Sequence, residues 1–489
     1  MSAPVKAAFP LSPLGRSGIF IAVVALAIIG GALVRWFDLG RRPVHTDEAV
    51  NAFQTARVLE GEGFRYDPKD YHGPLFIALN AFTACIAGGA DLGSLTEQKL
   101  RFGAVLSSLL GLAIIFPYPR IAGGISAGFA AVCLAVDPIF VYYGRYAIHE
   151  SLFISLTFGF LLAVQLACKT GSLRWWGTAG LMAGLMLSTK ETAVIAFAAT
   201  AAAGAVCLRR PSSILKGASV FLAAAIITTV FCYTWAFRNW SALVDLAAAG
   251  PGYLLRAGGQ GHEKPAFYYA GLLLGTWSGP LHFGLALVGI IVAWRKKVGR
   301  ENVLFLSVYT LLVCVIYSLI PYKTPWLALN LWLPLLLLAG CGFSWCLKRS
   351  TFLGSLVAVL VLATMAVDVR ASVFRSGWDE RNPLAYSHPT DDILELPVRV
   401  SRLATSIQRP LKIGVLAADP WPIPWYLRNE RFVGYWPTNA PTPEVDVLIL
   451  DGEAAERLQL DAQGCRCWIF SQRPGSLLFL YWRHENKAS

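Results

Sequence analysis

Residues 18–48 read GIFIAVVALAIIGGALVRWFDLGRRPVHTDE, an apolar run of seventeen residues followed at once by charge. The run, Gly18 to Val34, contains no Asp, Glu, Lys or Arg and matches the length scale of a bilayer-crossing helix. Lys6 and Arg16 precede it. It is longer than the usual signal-peptide core, and no small-residue cleavage site follows, so it reads as a retained first span with a cytoplasmic N-terminus. Similar segments recur near 74–90, 102–119, 121–137, 151–168, 175–189, 192–208, 214–235, 276–294, 303–321, 324–347 and 350–367. Hydrophobic residues make up 55% of the 489 against 15% charged, and mean hydropathy is +0.53. Soluble domains of this size cannot hide so much apolar surface. A soluble enzyme, a nucleic-acid binder and a disordered scaffold are disfavoured; a polytopic α-helical membrane protein is predicted.

The net charge of +12 is informative through its position. Lys169/Arg174, Arg209/Arg210/Lys216, Arg295/Lys296/Lys297/Arg300 and Lys348/Arg349 fall at alternate connections, as cytoplasmic loops should. Counting back places Arg120 inside and residues 138–150 outside. Parity then requires one early segment not to cross. The segment 74–90, with a proline at its start and a Gly-Gly pair near its end, is the best candidate for an interfacial helix. About eleven spans result, with twelve or thirteen as the upper bounds, and residues 36–101 form one external loop. In this arrangement the inner connections and N-terminal tail hold 14 Lys/Arg and one acid, Glu301.

No Asp, Glu, Lys or Arg occupies the middle of a predicted span, whereas ion-coupled carriers usually need such residues there. His282 and Asn330 are the main polar exceptions, and helix–helix contacts are the simpler reading of both. Eight of the ten cysteines lie in apolar segments and act as small hydrophobes; Cys465 and Cys467 read as ordinary strand residues. After Val367 the chain becomes soluble in character. Short strands are predicted at Leu411–Ala417, Val445–Asp451, Cys467–Phe470 and Ser476–Trp482, with a helix around Glu453–Leu460, which together suggest a small α/β domain. The predicted division is a membrane domain over 1–367 and an external C-terminal domain over 368–489, periplasmic or extracellular. The Pro-Trp-rich piece at 419–426 reads either as a binding lip or as a rigid loop docking the domain on the membrane.

Chemistry gathers at the predicted external ends of the spans. The first loop holds His45-Thr-Asp47-Glu48, then Tyr66-Asp67-Pro-Lys69-Asp70-Tyr71-His72-Gly-Pro74. Arg145-Tyr-Ala-Ile-His149-Glu150 precedes one span, while Ser188-Thr-Lys190-Glu191-Thr and Pro321-Tyr322-Lys323-Thr-Pro325-Trp326 each join two spans with almost no loop. An Asp-Glu pair beside the membrane can supply a general base and a second carboxylate that holds its geometry or a cation. External loops often carry acids, and Lys190 and Lys323 could merely snorkel at helix ends. A cluster of cations with one carboxylate base nevertheless suits a substrate carrying a phosphate at the lipid boundary, if these distant loops meet in one pocket.

The set His45-x-Asp47-Glu48, Tyr71-His72-Gly73-Pro74, Ser188-Thr-Lys190-Glu191-Thr and Tyr322-Lys323-Thr-Pro-Trp resembles the GT-C superfamily of membrane glycosyltransferases. Within it the chain is most similar to the protein O-mannosyltransferase and lipid A aminoarabinose transferase group (glycosyltransferase 39/83-like), and to a prokaryotic subfamily linked to protein glycosylation. The likeness covers the membrane part and extends to Arg381-Asn-Pro and Trp421-x-x-Pro-Trp-Tyr in the tail. It implies a GT-C fold, a polyprenyl-phosphate-sugar donor and an inverting single displacement of mannosyl-transfer type, with Asp47 as base. It further implies Glu48 and Glu150 as supporting carboxylates, and His72, Arg145, Lys190 and Lys323 as basic residues near the lipid phosphate. His45, Glu191 and Tyr322 complete the substrate-binding candidates. The wider group often has Pro-Pro where this chain has Gly73-Pro74, which leaves the seating of that helix open. Metal dependence varies in the superfamily, so no cofactor is implied with certainty and a divalent cation is allowed.

The expected function is glycosyl transfer at the external face of the cytoplasmic (inner) membrane, to a hydroxyl of a protein, glycan or lipid acceptor, with membrane lipids and no nucleic acid as further partners. The alternative is a lipid-linked sugar transporter or its accessory subunit, against which the lack of midplane charge counts.

Overall fold

The computed structural model describes residues 13–68, 72–207, 214–259, 261–296 and 300–483. Lys69, Asp70 and Tyr71 of the first-loop motif, and Lys6, Arg209, Arg210 and Lys297 of the predicted inner segments, lie outside the described residues. The chain forms two compact units. One comprises residues 1–37, 64–76 and 103–375, the other residues 38–63, 77–102 and 376–489. The first loop is therefore divided between them: its Asp-Glu portion belongs with the C-terminal sheet, and its His-Gly-Pro portion with the apolar helices.

Each of the twelve apolar segments is a helix, among them Pro13–Trp36, Leu75–Ile86, Glu97–Ile114, Gly124–Val136, Glu150–Thr170 and Leu173–Leu187. Ala193–Cys207, Ile214–Tyr233, Gly279–Lys296, Arg300–Leu319, Leu329–Arg349 and Thr351–Val369 complete the set. Among the described residues, six helical stretches are long and apolar enough to span a bilayer by themselves, and a seventh is reached if Tyr268–Leu274 and Gly279–Arg295, bent by 101°, count as one broken span. Leu75–Ile86 has twelve residues, about 18 Å of helix against a hydrocarbon core of about 30 Å. Gly124–Val136 and Ala193–Cys207 are also short. The protein is a multi-pass membrane protein.

In lipid, helices associate through close packing more than through hydrophobic burial, which favours small residues at their crossings. Leu173–Leu187 packs on Ile214–Tyr233 in this way. A Cβ on Gly180 would lie 2.2 Å from the Phe221 carbonyl oxygen, and one on Gly184 would lie 2.6 Å from Thr228 Cβ. These glycines, four residues apart, form one small-residue stripe that lets the backbones touch. Buried arginines close other helix ends. The guanidinium of Arg35, wholly buried, donates to the carbonyl of Gly31 in its own helix and to those of Leu134 and Ala135, two acceptors that the C-terminus of Gly124–Val136 leaves open. Arg145 does the same for the carbonyls of Val34, Arg35 and Phe37. Asp368 accepts from Trp277 N, Ser278 N and Ser278 Oγ at 2.7–3.0 Å, just before the helix Gly279–Lys296 begins. His282 and Asn330 are satisfied within the helices, donating to Ser278 O and Leu327 O.

The second unit contains a five-stranded sheet of strands β1 (Lys412–Leu416), β2 (Phe432–Trp436), β3 (Val447–Asp451), β4 (Arg466–Arg473) and β5 (Ser476–Trp482), in the order β2-β1-β3-β5-β4. β1 is parallel to β2 and β3, and β5 runs antiparallel to β3 and β4. Four strands and the helix Gly452–Leu458 fall where the sequence predicts them. β2 was not foreseen, because FVGYW at this edge has no alternation of apolar and polar residues and carries a glycine that weakens a strand. The 419–426 piece packs within its own unit: Trp425 Nε1 donates to Glu97 Oε1, and the Tyr426 hydroxyl accepts from Val44 N. Cys465 and Cys467 are free thiols.

Gly180→Leu is expected to force the helices Leu173–Leu187 and Ile214–Tyr233 apart at a cost of about 1–3 kcal/mol, read as a lowered unfolding temperature of the detergent-solubilised protein. An unchanged midpoint would show that this crossing is not tight.

Candidate functional site

The site residues fall in two groups, one in each unit. In the second unit, the helix Thr46–Leu59 starts with a capping box built by its first acidic residues. His45 Nδ1 accepts from Asp47 N at 3.0 Å, and Glu48 Oε2 accepts from His45 N at 3.2 Å. Because Nδ1 accepts, Nε2 carries the imidazole proton and donates to Tyr386 O at 3.0 Å. Burial pushes the His45 imidazole below its ordinary range, against the pull of Asp47 and Glu48, so it is a neutral cap.

The two carboxylates of the Asp-Glu pair have opposite surroundings. Glu48 is wholly buried and accepts from Arg101 Nε and Nη2, each at 2.8 Å. Arg42 adds a second cation at 3.8 Å, and Arg101 also donates to Leu39 O and Pro43 O, tying down the chain that leads to the helix. Asp47 is half-buried, and no hydrogen bond or ion pair engages its carboxylate among the described residues. Glu48 thus acts as a geometric anchor, and Asp47 is the carboxylate left available.

In the first unit the centre is Glu191, in the turn between Leu173–Leu187 and Ala193–Cys207. Its carboxylate accepts from Tyr66 at 2.8 Å, Tyr253 at 2.5 Å, Tyr233 at 3.2 Å and His72 Nδ1 at 3.0 Å. Burial pushes Glu191 up, but the His72 hydrogen bond and charge and the Tyr253 hydroxyl outweigh it and bring its carboxyl to about 2. Tyr253 arrives by way of an unusual turn. Trp235, Ala236 and Phe237 are all left-handed, with φ of 51°, 57° and 66°, each costing about 1–2 kcal/mol. Thr234 holds the turn by accepting from Phe237 N at its Oγ1. His72 is seated by Gly73: a Cβ there would lie 2.3 Å from Ser188 O, the carbonyl that receives Leu75 N at 2.9 Å. A proline in place of Gly73 would bring bulk into this contact, which accounts for the departure from Pro-Pro.

The other predicted cations have distinct settings. Lys190 is buried and ion-paired with Glu150 at the start of the helix Glu150–Thr170. Arg145 has its Nη1 on the three carbonyls that end the first helix, with its guanidinium 5.0 Å over the Phe374 ring. Lys323 is 1% exposed and donates to the carbonyls of Ile320 and Lys264, with no carboxylate partner among the described residues. Tyr322 pairs with Glu263 in an isolated antiparallel bridge and packs its ring on His262. His149, the residue immediately before the helix Glu150–Thr170, has its ring 5.1 Å from that of His72. Sequence reasoning missed Arg101, Tyr66, Tyr233 and Tyr253 as supports. Tyr66 lies inside a motif already singled out, whereas the others sit in stretches whose pattern reports only helix. No group of three or more His, Cys, Asp or Glu that could hold a metal occurs among the described residues.

Arg101→Leu would leave the buried Glu48 carboxylate without its partner, and is expected to cost about 3–5 kcal/mol. The check is thermal unfolding in detergent beside the milder Arg101→Lys; a loss under about 1 kcal/mol would show that Glu48 finds another partner.

Comparison with known proteins agrees with this architecture. Residues 72–237 match the dolichyl-phosphate-mannose-protein mannosyltransferase family. An undecaprenyl phosphate-alpha-4-amino-4-deoxy-L-arabinose arabinosyl transferase from Erwinia tasmaniensis is 26% identical over 329 residues, spanning 60% of this chain and 56% of that protein. The chain thus covers little more than half the relative's length. The crystal structure of apo ArnT from Cupriavidus metallidurans aligns with a TM-score of 0.68 at 14% identity, over 95% of this chain and 98% of that one. Its structure bound to undecaprenyl phosphate gives 0.66. The oligosaccharyltransferase AglB from Archaeoglobus fulgidus, in complex with an inhibitory peptide and a dolichol-phosphate, gives 0.59 at 12% identity over 96% and 75% of the two chains. The chain thus shares its fold with the ArnT and AglB structures, and its residues 72–237 are similar to the dolichyl-phosphate-mannose-protein mannosyltransferase family, in line with the resemblance read from the motifs.

Proposed function

We propose that the protein is a glycosyltransferase that moves a sugar from a polyprenyl-phosphate donor to an acceptor hydroxyl of a protein, glycan or lipid, at the external face of the cytoplasmic membrane. The matched family and the 26%-identical relative, whose name describes transfer from undecaprenyl phosphate, support this class of reaction and donor. The bound undecaprenyl phosphate of the ArnT structure and the dolichol-phosphate of the AglB structure are compatible with it.

The observation that carries the assignment of the base is the contrast within the Asp-Glu pair. Glu48 is buried on Arg101, while the adjacent Asp47 keeps an unengaged carboxylate fixed on the first helical turn. A general base needs that combination of a free lone pair and a rigid mount. In the proposed step Asp47 takes the acceptor's O–H proton as that oxygen bonds to the sugar's anomeric carbon. The bond from this carbon to the phosphate oxygen breaks, the electron pair leaves with the polyprenyl phosphate, and the anomeric configuration inverts. Lys323 suits the leaving phosphate because it is a buried ammonium that has only carbonyl oxygens for partners among the described residues, and an anion would complete its charge balance. Lys190, neutralised by Glu150, and Arg145, capping a helix, are proposed to hold the donor site's shape. His45 and Tyr322 are proposed to frame the substrate site through the contacts described. A divalent cation remains compatible with this scheme and is assigned no step.

Two variants test the roles with the purified full-length protein in proteoliposomes, supplied with polyprenyl-phosphate sugars extracted from the source membrane. Asp47→Asn is expected to reduce transfer by about 10²–10⁴-fold while unfolding as wild type does; near-normal turnover would remove Asp47 as the base. Lys323→Ala is expected to raise the donor KM by about tenfold or more with a smaller change in kcat, and an unchanged KM would detach Lys323 from the phosphate. Movement of donor lipid between leaflets without any sugar transfer would replace the enzyme by a transporter.

A further inference from the structure

A serine or asparagine would cap the helix Thr46–Leu59 as well as His45 does, since one side-chain acceptor suffices for the Asp47 amide. An imidazole has a second nitrogen, and here it reaches a residue 341 positions away: His45 Nε2 donates to Tyr386 O. The receiving carbonyl is itself held. Ser387 is left-handed, with φ of 51°, a conformation that strains any residue with a Cβ. Tyr386 N donates to His388 Nδ1 at 3.1 Å and closes the turn around it. His388 is 3% exposed, and its ring centroid lies 4.9 Å from that of His45. Burial pushes His388 well below the ordinary imidazole range, so the ring is neutral and accepts at Nδ1. The turn follows the Arg381-Asn-Pro motif, whose Asn382 accepts from Leu384 N and donates to Ser376 O. Just beyond it, Thr390 donates through N and Oγ1 to the carbonyls of Gln472 and Ser471, and Asp392 accepts from Ser471 N, which ties the turn to the end of β4. The Pro-Trp-rich loop is held at the same strand end, where Gln472 Nε2 donates to Trp421 O. It brings the Tyr426 hydroxyl to Val44 N and the Trp421 ring edge-on to Phe53 at 5.4 Å. Two arms fastened to the C-terminal sheet thus close on the residues around Asp47.

We propose that His388 is a positioning residue for the general base: it holds the Tyr386 carbonyl against His45, and His45, kept in the tautomer that accepts at Nδ1, fixes the Asp47 amide and with it the direction of the Asp47 carboxylate. The inference rests on Asp47 being the base, as proposed above. A neutral imidazole carries one proton. Were the His45 proton on Nδ1, it would meet the Asp47 N–H donor to donor, and the first helical turn would lose its cap. The Tyr386 carbonyl excludes that tautomer by accepting at Nε2. His388 does for the turn what Tyr386 does for His45, since the hydrogen bond at its Nδ1 offsets the strain of the left-handed Ser387. The Asp47 carboxylate has no hydrogen bond or ion pair of its own among the described residues, so the backbone that carries it sets where it points. A misaimed base slows proton transfer and leaves donor binding alone. The C-terminal sheet therefore acts on kcat through two histidines.

The test measures transfer by the full-length protein in proteoliposomes, supplied with extracted polyprenyl-phosphate sugars and a fixed amount of source-membrane extract as acceptor. His388→Leu, which fills the volume without an acceptor atom, is expected to lower kcat by about tenfold or more with the donor KM unchanged. His388→Asn, whose Oδ1 can receive the amide that Nδ1 received, is expected to recover most of this loss. His45→Asn keeps the helix cap but is too short to reach Tyr386, and is expected to lose kcat in the same way; it decides the question if His388→Leu does not fold. In an Asp47→Asn background His388→Leu is expected to cost nothing further, because it acts through the base. A normal kcat in His45→Asn or in folded His388→Leu, a loss carried by KM, a His388→Asn no better than the leucine variant, or the same fold-loss on top of Asp47→Asn would overturn the inference. If Asp47→Asn alone turns over normally, the base reading fails and this inference with it. If Asp47→Asn is crippled while His45→Asn and His388→Leu run at the wild-type rate, the base stands and only the positioning role falls.

Discussion

Two buried carboxylates, Glu48 and Glu191, gather the polar groups of their units around them, because an ionised carboxyl removed from water must be matched by donors or cations. Glu48 is met by the guanidinium of Arg101, which also holds two carbonyls of the preceding chain. The start of the helix Thr46–Leu59 is thereby fixed from outside, by the ion pair, and from inside, by the capping box. Glu191 is met by hydroxyls and an imidazole. These partners are directional donors, so the carboxylate determines the orientation of His72 as well as its charge environment.

The same requirement explains why many charged residues at the ends of the apolar helices serve structure. Arg35 and Arg145 cover carbonyl groups that the helices themselves cannot satisfy. Asp368 covers the complementary amides at the start of another helix. Lys190 and Glu150 neutralise one another. Among the described residues, the charged and imidazole groups of the motifs that such pairings leave available include the Asp47 carboxylate, the Lys323 ammonium, which has only carbonyl partners, and Nε2 of His72 and of His149. Catalysis by preorganised charge asks for groups of this kind, held rigidly by neighbours whose own needs are met.

Glycine shapes the first unit at two scales. Gly180 and Gly184 let two long helices meet backbone to backbone, and Gly73 lets the chain after His72 rest against the Ser188 carbonyl. The second contact joins two motifs that are more than a hundred residues apart in sequence.

The sequence by itself determined the membrane class, the position of all twelve apolar helices and most of the C-terminal sheet, because hydropathy and strand alternation are local properties that the solvent reads directly. It also picked out Asp47, Glu48, His72, Lys190 and Glu191, since charged residues in tight turns beside apolar runs are costly enough to be conspicuous. It could not say which of them were already satisfied. That Glu48 is sealed on Arg101, that Glu191 is enclosed by Tyr66, Tyr233 and Tyr253, and that Arg145 caps a helix were decided by tertiary structure alone. The reason is physical: whether a charge is available depends on partners brought to within about 3 Å by folding, and no pattern of neighbours along the chain encodes that distance.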